Sequence, residues 1–274
     1  MSEDRRLLGK LALVTGAGTG IGREIALEFA RQGAATALHY AHSASGAESA
    51  VAQITQAGGR ARAFGADLQD VDQAIGLVDR AIEFLGGIDI VVNNAGITFN
   101  KPFIETTPAQ FDTLFHVNIR AQYFIIQRAL PHMLERRGGT VCNLTSVHGI
   151  QGAPEHSIYA ATKGAIIAFT RQLGIELAHK GVRVNAIAPG WIEVDNHYKA
   201  DPQYSTAAAH DAVPVGRAGK PIDIAKLAVF LCSSDAAFII GQTIVCDGGT
   251  TSLMSLIKDF RTPSAVQFGA DYVS

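Results

Sequence analysis

The chain is poor in the residues that mark secreted, metal-binding or nucleic-acid-binding proteins. Its 274 residues include three cysteines, Cys142, Cys232 and Cys246, with no Cys-x-x-Cys spacing. Each lies within an apolar run, which favours buried thiols in a reducing compartment over a disulfide or a metal site. The 23 lysines and arginines stand against 25 acidic residues. This balance argues against a nucleic-acid or anionic-membrane partner.

Long apolar runs are missing as well. The N-terminal sequence MSEDRRLLGK lacks the apolar core of a signal peptide, and no stretch reaches membrane-spanning length. Hydrophobic residues make up 47% of the chain and charged residues 18%, which leaves ample material for a core and little for disorder. We therefore expect a soluble, cytoplasmic protein.

Short apolar runs alternate with segments of helical spacing along most of the chain. This alternation predicts βαβ units with right-handed crossovers, and the early strands are apolar on both faces, as a sheet covered on both sides requires. We expect an α/β fold with a Rossmann-type, doubly wound parallel sheet of about seven strands and helices on both faces. The predicted strands cover 10–16, 34–40, 61–68, 88–96, 139–146, 182–190 and 242–249, and the predicted helices cover 21–33, 45–59, 70–87, 108–136, 157–179 and 221–233.

No linker, repeat or low-complexity tract interrupts this pattern, so residues 1–250 are predicted to form one domain. Residues 251–274 form a C-terminal extension whose aromatic residues, Phe260, Phe268 and Tyr272, indicate packing on the domain or across a subunit interface. An unstructured tail is the alternative. Within the helix over 108–136, Pro131 marks a place for a kink.

The sequence TGAGTGIG at 15–22 connects the first predicted strand to the first predicted helix. Its glycines, spaced Gly16-x3-Gly20-x-Gly22, let backbone N–H groups approach a pyrophosphate, and the helix N-terminus adds its dipole. This spacing departs from the common Gly-x-Gly-x-x-Gly, and a tight turn without a ligand is the alternative. Because open α/β sheets bind nucleotides at this place, the loop predicts a phosphate site.

Tyr159 and Lys163 lie four residues apart in the sequence HSIYAATKGA. On a helix they share one face, about 6 Å apart along the axis. A free phenol has a pKa of about 10, and a neighbouring ammonium is expected to lower it, so that Tyr159 exchanges a proton with an alcohol or carbonyl oxygen. A packing tyrosine beside a solvated lysine is the alternative. Ser146, at the end of a predicted strand, argues against that alternative.

With these motifs the chain resembles the short-chain dehydrogenase/reductase family from about Lys10 to Gly249. The resemblance implies an NAD(P)-dependent oxidoreductase acting on CH–OH groups, with the hydride carried by the cofactor. It also implies a homotetramer in which the helices of 108–136 and 157–179 pair between subunits. The matching motifs are TGAGTGIG, Asp-Leu at 67–68, NNAG at 93–96, Asn118, Ser146, Tyr159-x3-Lys163 and Pro-Gly at 189–190.

The resemblance assigns catalytic roles to Asn118, Ser146, Tyr159 and Lys163, and it implies no metal. Tyr159 is the acid/base, Ser146 bonds the substrate oxygen, and Lys163 also binds the nicotinamide ribose. Asn118 holds a water that links Lys163 to solvent; a helix residue satisfied by the backbone is the alternative. The implied cofactor-binding residues are Gly16, Thr19, Gly20, Ile21, Gly22, His39, His42, Ser43, Asp67, Leu68, Asn94, Ala95, Gly96, Tyr159, Lys163, Pro189, Gly190 and Ile192.

The end of the second predicted strand bears on the choice of cofactor. NAD-specific sites place an acid there for the ribose 2′-hydroxyl, whereas this chain has LHYAHSAS and no acid before Glu48. His42 and Ser43 can donate hydrogen bonds to a 2′-phosphate, although the arginine that often holds this phosphate is missing. We expect NADP, with NAD use open. Val194 stands where the family commonly has a threonine, which removes one expected cofactor contact.

Two polar segments, VHGIQGAPEH and WIEVDNHYKADPQY, are expected to select the substrate. Hydrogen-bonding side chains in a buried pocket suit a polyhydroxylated ligand, and the SVHG run resembles the glucose dehydrogenase branch. We therefore expect a sugar or polyol dehydrogenase; the alternative is that both segments are polar surface loops. The expected substrate-contacting residues are Ser146, His148, Gln151, Tyr159, Trp191, Glu193 and Asn196.

Two further functions stay open at this point. Reduction of a 3-oxoacyl thioester or another small carbonyl keeps the same fold and predicts a basic patch at the pocket mouth, of which residues 193–201 give little sign. A non-catalytic nucleotide-binding scaffold is the alternative of a different class. Such proteins usually lose the tyrosine or the lysine, and both are present here.

Overall fold

The computed structural model describes residues 5–254 and 259–262. Within them, seven parallel strands form one sheet in the order β3-β2-β1-β4-β5-β6-β7. The predicted doubly wound parallel sheet is confirmed, and every strand lies inside its predicted run. The strands are β1 (Leu11–Val14), β2 (Ala35–Tyr40), β3 (Ala61–Gly65), β4 (Ile90–Asn93), β5 (Gly139–Leu144), β6 (Val182–Pro189) and β7 (Thr243–Cys246).

The predicted helices are present, with ends that differ by a few residues. Two short helices, Asp195–Ala200 and Ala209–Ala212, lie between residues 193 and 219, where no helix was predicted. Among the helices of the described ranges, none is long and apolar enough to cross a membrane. The helices are α1 (Gly20–Arg31), α2 (Ala44–Gln56), α3 (Val71–Leu85), α4 (Pro108–Phe115), α5 (Ala121–Glu135), α6 (Ser157–Ala178), α7 (Asp195–Ala200), α8 (Ala209–Ala212) and α9 (Pro221–Cys232).

The helix predicted over 108–136 differs from the prediction in its middle. A π-helical turn, His116–Arg120, separates α4 from α5, and Asn118 lies within it. A π turn inserts one residue into the helical hydrogen-bond ladder and often marks a functional site. Pro131 lies inside α5, which continues to Glu135.

Successive residues of a strand face opposite sides of the sheet, so each buried strand contributes to two cores. In β1, Ala12 and Val14 belong to the core under α1, α2 and α9, whereas Leu13 belongs to the core under α3, α5 and α6. All three side chains are fully buried. This explains why the strands read as continuous apolar runs rather than as alternating ones.

The strand order reverses between β1 and β4, which pair with each other. Chains leaving the carboxyl ends of these strands run to opposite sides of the sheet and leave a crevice between them. The glycine loop after β1 and the loops after β4, β5 and β6 all begin at this edge. The topology therefore brings the motifs singled out in the sequence to one end of the sheet.

Buried polar side chains cross-link β4, β5 and α6. Asn93 Nδ2 donates to Asn143 Oδ1 at 3.0 Å, and Asn143 Nδ2 donates to Thr170 Oγ1 at 3.0 Å. All three residues are fully buried. Because an unpaired buried amide is costly, these bonds favour one orientation of α6 on the sheet.

Gly174, near the end of α6, allows that helix to contact the turn before β7. A Cβ at residue 174 would lie 2.8 Å from Gly241 Cα. We predict that Gly174→Ala lowers the free energy of unfolding by about 1–3 kcal/mol, because the backbone must shift. Urea unfolding measures the change.

Gly76→Ala in α3 is the matched control, because a Cβ there meets no atom within 4 Å. It should raise the free energy of unfolding by about 1 kcal/mol through helix propensity. Equal stabilisation by the two substitutions would contradict the close contact at Gly174.

Candidate active site

The glycine loop between β1 and α1 is tightly folded and leaves the start of α1 uncapped. Gly16 and Gly20 have φ of 64° and 54°, and a Cβ on Gly22 would lie 2.3 Å from Gly16 O. Thr19, the N-cap of α1, makes no side-chain cap, and no acid lies in the first turn. The first N–H groups and the positive end of the helix dipole are therefore free to hold an anion, which fits the pyrophosphate of a dinucleotide.

The loop after β4 is hydrogen-bonded to the glycine loop. Thr15 Oγ1 accepts from the backbone N–H of Asn94 and of Ala95, both at 3.0 Å. Asn94 Nδ2 donates in turn to Thr15 O at 3.0 Å and to Gly16 O at 3.1 Å. Asn94 and Ala95 thus hold the glycine loop in place.

His39 of β2 is hydrogen-bonded to the glycine loop. Its Nδ1 accepts from Gly16 N at 3.1 Å, so its Nε2 donates to Ala66 O at 3.0 Å. Burial lowers the pKa of His39, which keeps the ring neutral in this bonding pattern. With both nitrogens bonded to the backbone, His39 shapes the predicted cofactor site and has no donor left for a phosphate.

A cavity of about 500 Å³, here called the loop cavity, follows the glycine loop and the end of β2. Lys199 of α7 also lines it; no local motif pointed to this residue, because it is remote in the chain. Gly22 is not part of the wall and lies behind the loop. The predicted cofactor-binding residues that line the loop cavity are Gly16, Thr19, Gly20, Ile21, His39, His42, Ser43, Asp67, Leu68, Asn94, Ala95 and Gly96.

A second cavity of about 610 Å³, the tyrosine cavity, adjoins the first. Ser146, Tyr159 and Lys163 line it, with Pro189, Gly190 and Ile192 from the end of β6. The fold therefore brings three of the four predicted catalytic residues to one cavity, next to the predicted dinucleotide site. The residues shared by the two cavities are Ile21, Asn94, Gly96, Ile97 and Val194.

Lys163 is buried where α6 meets the end of β5. Its Nζ donates to Leu144 O at 2.9 Å, and its own carbonyl accepts from Thr145 Oγ1 at 2.7 Å. Burial lowers the pKa of Lys163 to about 8, because the ammonium loses its hydration. Lys163 can therefore release and take up a proton near neutral pH.

Tyr159 lies beside Lys163, with 5.5 Å between the Nζ atom and the centre of the phenol ring. Burial raises the pKa of Tyr159, and a hydrogen bond with Ser146 acts in the opposite direction. The prediction that Lys163 lowers this pKa is wrong for this structure, because desolvation is the larger effect and the ammonium is bonded to Leu144 O. At neutral pH the phenol is protonated and suited to donate a proton.

Asn118 is fully buried and links three segments of the site. Its Oδ1 accepts from Ile97 N at 2.8 Å, and its Nδ2 donates to Ile97 O at 2.9 Å and to Thr162 Oγ1 at 3.1 Å. A Cβ on Gly96 would lie 3.3 Å from Asn118 Oδ1 and 3.4 Å from Lys163 Nζ. Asn118 thus lies next to Lys163, and its predicted role in holding a water stays a prediction.

Four of the seven predicted substrate residues line the tyrosine cavity, and two of the other three lie outside its wall. His148 and Trp191 line the tyrosine cavity with Ser146 and Tyr159. Gln151 is exposed and donates to a backbone carbonyl, Thr251 O, at 3.4 Å, because the loop after β5 turns it away from the cavity. Glu193 accepts from the Tyr198 hydroxyl and lines another cavity beside Arg23 and Lys220. The side chain of Asn196 lies outside the described residues.

Further residues line the tyrosine cavity, including His156, His197 and Val213. His156 and His197 lie in the two segments expected to select the substrate, although neither was among the expected substrate-contacting residues, and Val213 lies outside both segments. His156 stands three residues before Tyr159, a helical spacing that could have indicated it. Its ring centre lies 4.7 Å from that of His148, which is in turn 5.5 Å from the Tyr159 ring. Burial lowers the pKa of His148 and of His197, and the neighbouring His156 lowers that of His148 further.

These imidazoles give the tyrosine cavity an aromatic, hydrogen-bonding wall rather than a metal site. Within residues 5–254 and 259–262, no group of three or more His, Cys, Asp or Glu side chains is arranged to hold a metal ion. With His148 and His197 neutral, the wall can donate or accept a hydrogen bond without adding charge. The arrangement is suited to proton transfer at an oxygen held by Ser146 and Tyr159.

Known proteins are similar to this chain in sequence or in structure. A family model described as enoyl-(acyl carrier protein) reductase matches residues 16–251. Trihydroxynaphthalene reductase PfmaI of Pestalotiopsis fici is 38% identical over 254 residues, 88% of this chain and 89% of that protein. Versicolorin reductase stcU of Emericella nidulans is 39% identical over 262 residues, 90% of this chain and 98% of that protein. A solved short-chain dehydrogenase of Burkholderia cenocepacia J2315, in complex with NADP, has a TM-score of 0.83 and 35% identity, covering 90% of this chain and 99% of that one.

The similarity extends along nearly all of the sheet and both cavities. The range matched by the family model, 16–251, takes in nearly all of the glycine loop, the serine after β5 and the tyrosine and lysine of α6, which the fold brings together at one edge. The chain therefore belongs to the short-chain dehydrogenase/reductase family and is an oxidoreductase that acts on carbonyl or hydroxyl groups.

Proposed function

We propose that this oxidoreductase uses NADP(H) to reduce a ring carbonyl of a flat, hydroxylated aromatic or polyketide-type compound. The observation that carries the proposal is the wall of the tyrosine cavity, where Trp191, Val213 and His148 stand beside Ser146 and Tyr159. Flat rings pack well against such aromatic and aliphatic side chains, while imidazoles can bond ring hydroxyls. Two relatives bear the names of trihydroxynaphthalene and versicolorin reductases, which supports the same substrate class.

The chemistry of the residues fits this reaction. When bound, NADP(H) supplies or accepts the hydride. The protonated phenol of Tyr159 donates a proton to the carbonyl oxygen during reduction, and the Ser146 hydroxyl holds the same oxygen. Lys163, whose pKa burial lowers to about 8, is suited to pass protons toward Tyr159. The raised pKa of Tyr159 favours its acid form, which is the form that donates a proton in reduction.

The loop cavity supports NADP rather than NAD. After β2 the chain continues as Ala41, His42 and Ser43, all of which line the cavity, and none of these three carries a carboxylate that would repel a 2′-phosphate. His42 and Ser43 can donate hydrogen bonds to that phosphate. The similar Burkholderia cenocepacia structure is described in complex with NADP.

A sugar or polyol is the second candidate substrate. The hydrogen-bonding groups of His148, His156 and Thr250 in the tyrosine cavity favour it. Gln151 and Glu193, on which the sequence-based expectation also depended, lie outside that cavity. The resemblance to the glucose dehydrogenase branch then depends on the SVHG run alone, so the aromatic substrate is the stronger candidate.

Thioester reduction and a purely nucleotide-binding role have less support. An enzyme that reduces a carrier-bound 3-oxoacyl thioester is expected to have a basic patch at the mouth of its cavity. Among the described residues lining the tyrosine cavity, Lys163 is the only lysine or arginine, and it is buried. A scaffold without chemistry has no need for Ser146, Tyr159 and Lys163 in one cavity.

We further propose a homotetramer in which α5 and α6 pair between subunits. Tyr123 on α5 stacks with Phe169 on α6, with ring centres 5.4 Å apart, although Tyr123 is 46% exposed. An exposed aromatic patch across two helices is typical of a subunit contact.

The C-terminal extension is described only in part. Arg261 Nη1 bonds Asp211 Oδ1 at 2.8 Å, so this part lies close to α8 of the same chain. Phe268 and Tyr272 lie outside the described residues. A contact of the extension with a neighbouring subunit and the cytoplasmic location stay predictions.

Tyr159→Phe removes the proton donor and keeps the ring. We predict a loss of kcat of about 10²–10⁴-fold, with the Kd for NADPH nearly unchanged, because the other residues of the predicted cofactor site remain. Steady-state kinetics and cofactor fluorescence measure the two quantities. Tyr123→Phe on α5 is the control and should keep its activity. Turnover of the Tyr159 variant close to the wild-type rate would contradict the acid/base role.

Lys163→Met tests the cost of the buried ammonium. The pKa of Lys163 falls from its ordinary 10.5 to about 8 on folding. Below pH 8 both states are protonated and the folded state carries the full desolvation cost; between pH 8 and 10.5 the folded state releases the proton first, so stability rises with pH. We predict that the variant is more stable than the wild type by about 2 kcal/mol at pH 7.

The stability difference between this variant and the wild type should shrink from pH 8 to pH 10.5. Urea unfolding across this range measures the trend. Lys180→Met, at an exposed residue after α6, is the control and should show no such dependence. A wild type more stable than the Lys163 variant at every pH would contradict the burial cost.

A substrate panel with both cofactors tests the proposed function. We predict that kcat/KM with NADPH is at least about tenfold higher for hydroxylated bicyclic ring ketones than for aldoses, polyols or acyl thioesters. We also predict a preference for NADPH over NADH. Turnover of sugars alone would favour the second candidate, and absence of turnover across the panel would contradict the proposal.

A further inference from the structure

The short helix α7 lies close to both cavities. Val194, directly before it, lines the two of them, and a Cβ on Gly20 would lie 3.2 Å from Val194 Cγ1. His197 lines the tyrosine cavity, and Lys199, two residues later, lines the loop cavity. One turn of helix thus presents one side chain to each cavity.

Lys199 changes the charge of the loop cavity. It is the only lysine or arginine among the described residues of that wall, and Asp67 is the only carboxylate. Asp67 Oδ1 accepts from Gln69 N at 2.9 Å, which holds the carboxylate in its turn. Without Lys199, the carboxylate of Asp67 would give the wall of the loop cavity a net negative charge, which would repel an anionic dinucleotide. An ammonium at this place offsets that repulsion.

The Lys199 ammonium is also available for a ligand. It forms no salt bridge within residues 5–254 and 259–262. Two carboxylates of the same segment have other partners, since Glu193 accepts from the Tyr198 hydroxyl and Asp201 Oδ1 accepts from Gln203 N. Asp195, four residues before Lys199, is exposed and forms no salt bridge with it. A cation beside an anion-binding loop, with no salt-bridge partner among the described residues, points to an anionic ligand.

We propose that Lys199 binds a phosphate group of the dinucleotide and thereby holds α7 over the tyrosine cavity. The inference depends on the proposed use of NADP(H). It supplies the cation missing from the glycine loop and from the end of β2, where His42 and Ser43 are the available donors. A lysine suits this role because its point charge on a flexible stem meets a phosphate without demanding a fixed geometry.

The test compares Lys199→Met and Lys199→Arg with the wild type for binding of NADPH and of NADH, followed by nicotinamide fluorescence. We expect Lys199→Met to raise the Kd of NADPH about tenfold, and Lys199→Arg to keep it within about threefold. Loss for NADPH alone assigns the contact to the 2′-phosphate, and equal loss for both cofactors assigns it to the pyrophosphate. Unchanged affinity for both would overturn the proposal.

Two comparisons separate this proposal from other causes. Lys180→Met removes the same charge at an exposed residue after α6 and should leave both Kd values unchanged. Higher salt should narrow the gap between the wild type and Lys199→Met, because an exposed ion pair is screened; a gap unaffected by salt would count against an ionic contact. If the wild type binds neither cofactor, the proposed function fails; if it binds both and Lys199→Met is identical, only the role of Lys199 fails.

Discussion

The buried ammonium of Lys163 is the constraint around which the site is arranged. Its Nζ is bonded to Leu144 O, and Thr145 Oγ1 bonds the Lys163 carbonyl, so α6 is held to the carboxyl end of β5. Burying an ammonium whose one hydrogen bond among the described residues is to a backbone carbonyl destabilises the fold. The same desolvation lowers the pKa of Lys163 to about 8, which suits a group that exchanges protons near neutral pH. Burial of Lys163 therefore lowers the free energy of unfolding and at the same time gives the residue a pKa suited to proton exchange.

The residues around Lys163 bury its ammonium but leave it part of the wall of the tyrosine cavity. Gly96 leaves free the space above Lys163 Nζ, where a Cβ would lie 3.4 Å away. Asn118 ties Ile97 to Thr162 of α6, and it does so from a π turn. The extra residue of that turn interrupts an otherwise continuous helix, a local cost that persists where the surrounding contacts require it.

Much of the fold could be predicted because its signals are local. Apolar runs mark the strands, helical spacing marks the helices, and glycines before a helix mark a phosphate loop, so each pattern lies within a few neighbouring residues. The pairing of Tyr159 with Lys163 on one face of α6 is of the same kind. The pKa of Tyr159 was not predictable in this way. It depends on burial and on the direction of the ammonium, which spacing along a helix does not determine.

The sequence by itself determined the order of strands and helices, the place of the phosphate loop and the residues available for proton transfer. Only the tertiary structure decided which distant side chains face the cavities. It put His39 under the glycine loop, Gln151 and Glu193 outside the tyrosine cavity, and Lys199 into the loop cavity. The reason is physical: sequence spacing defines neighbours within one helix or strand, whereas a cavity wall is assembled from remote segments whose relative positions arise from packing.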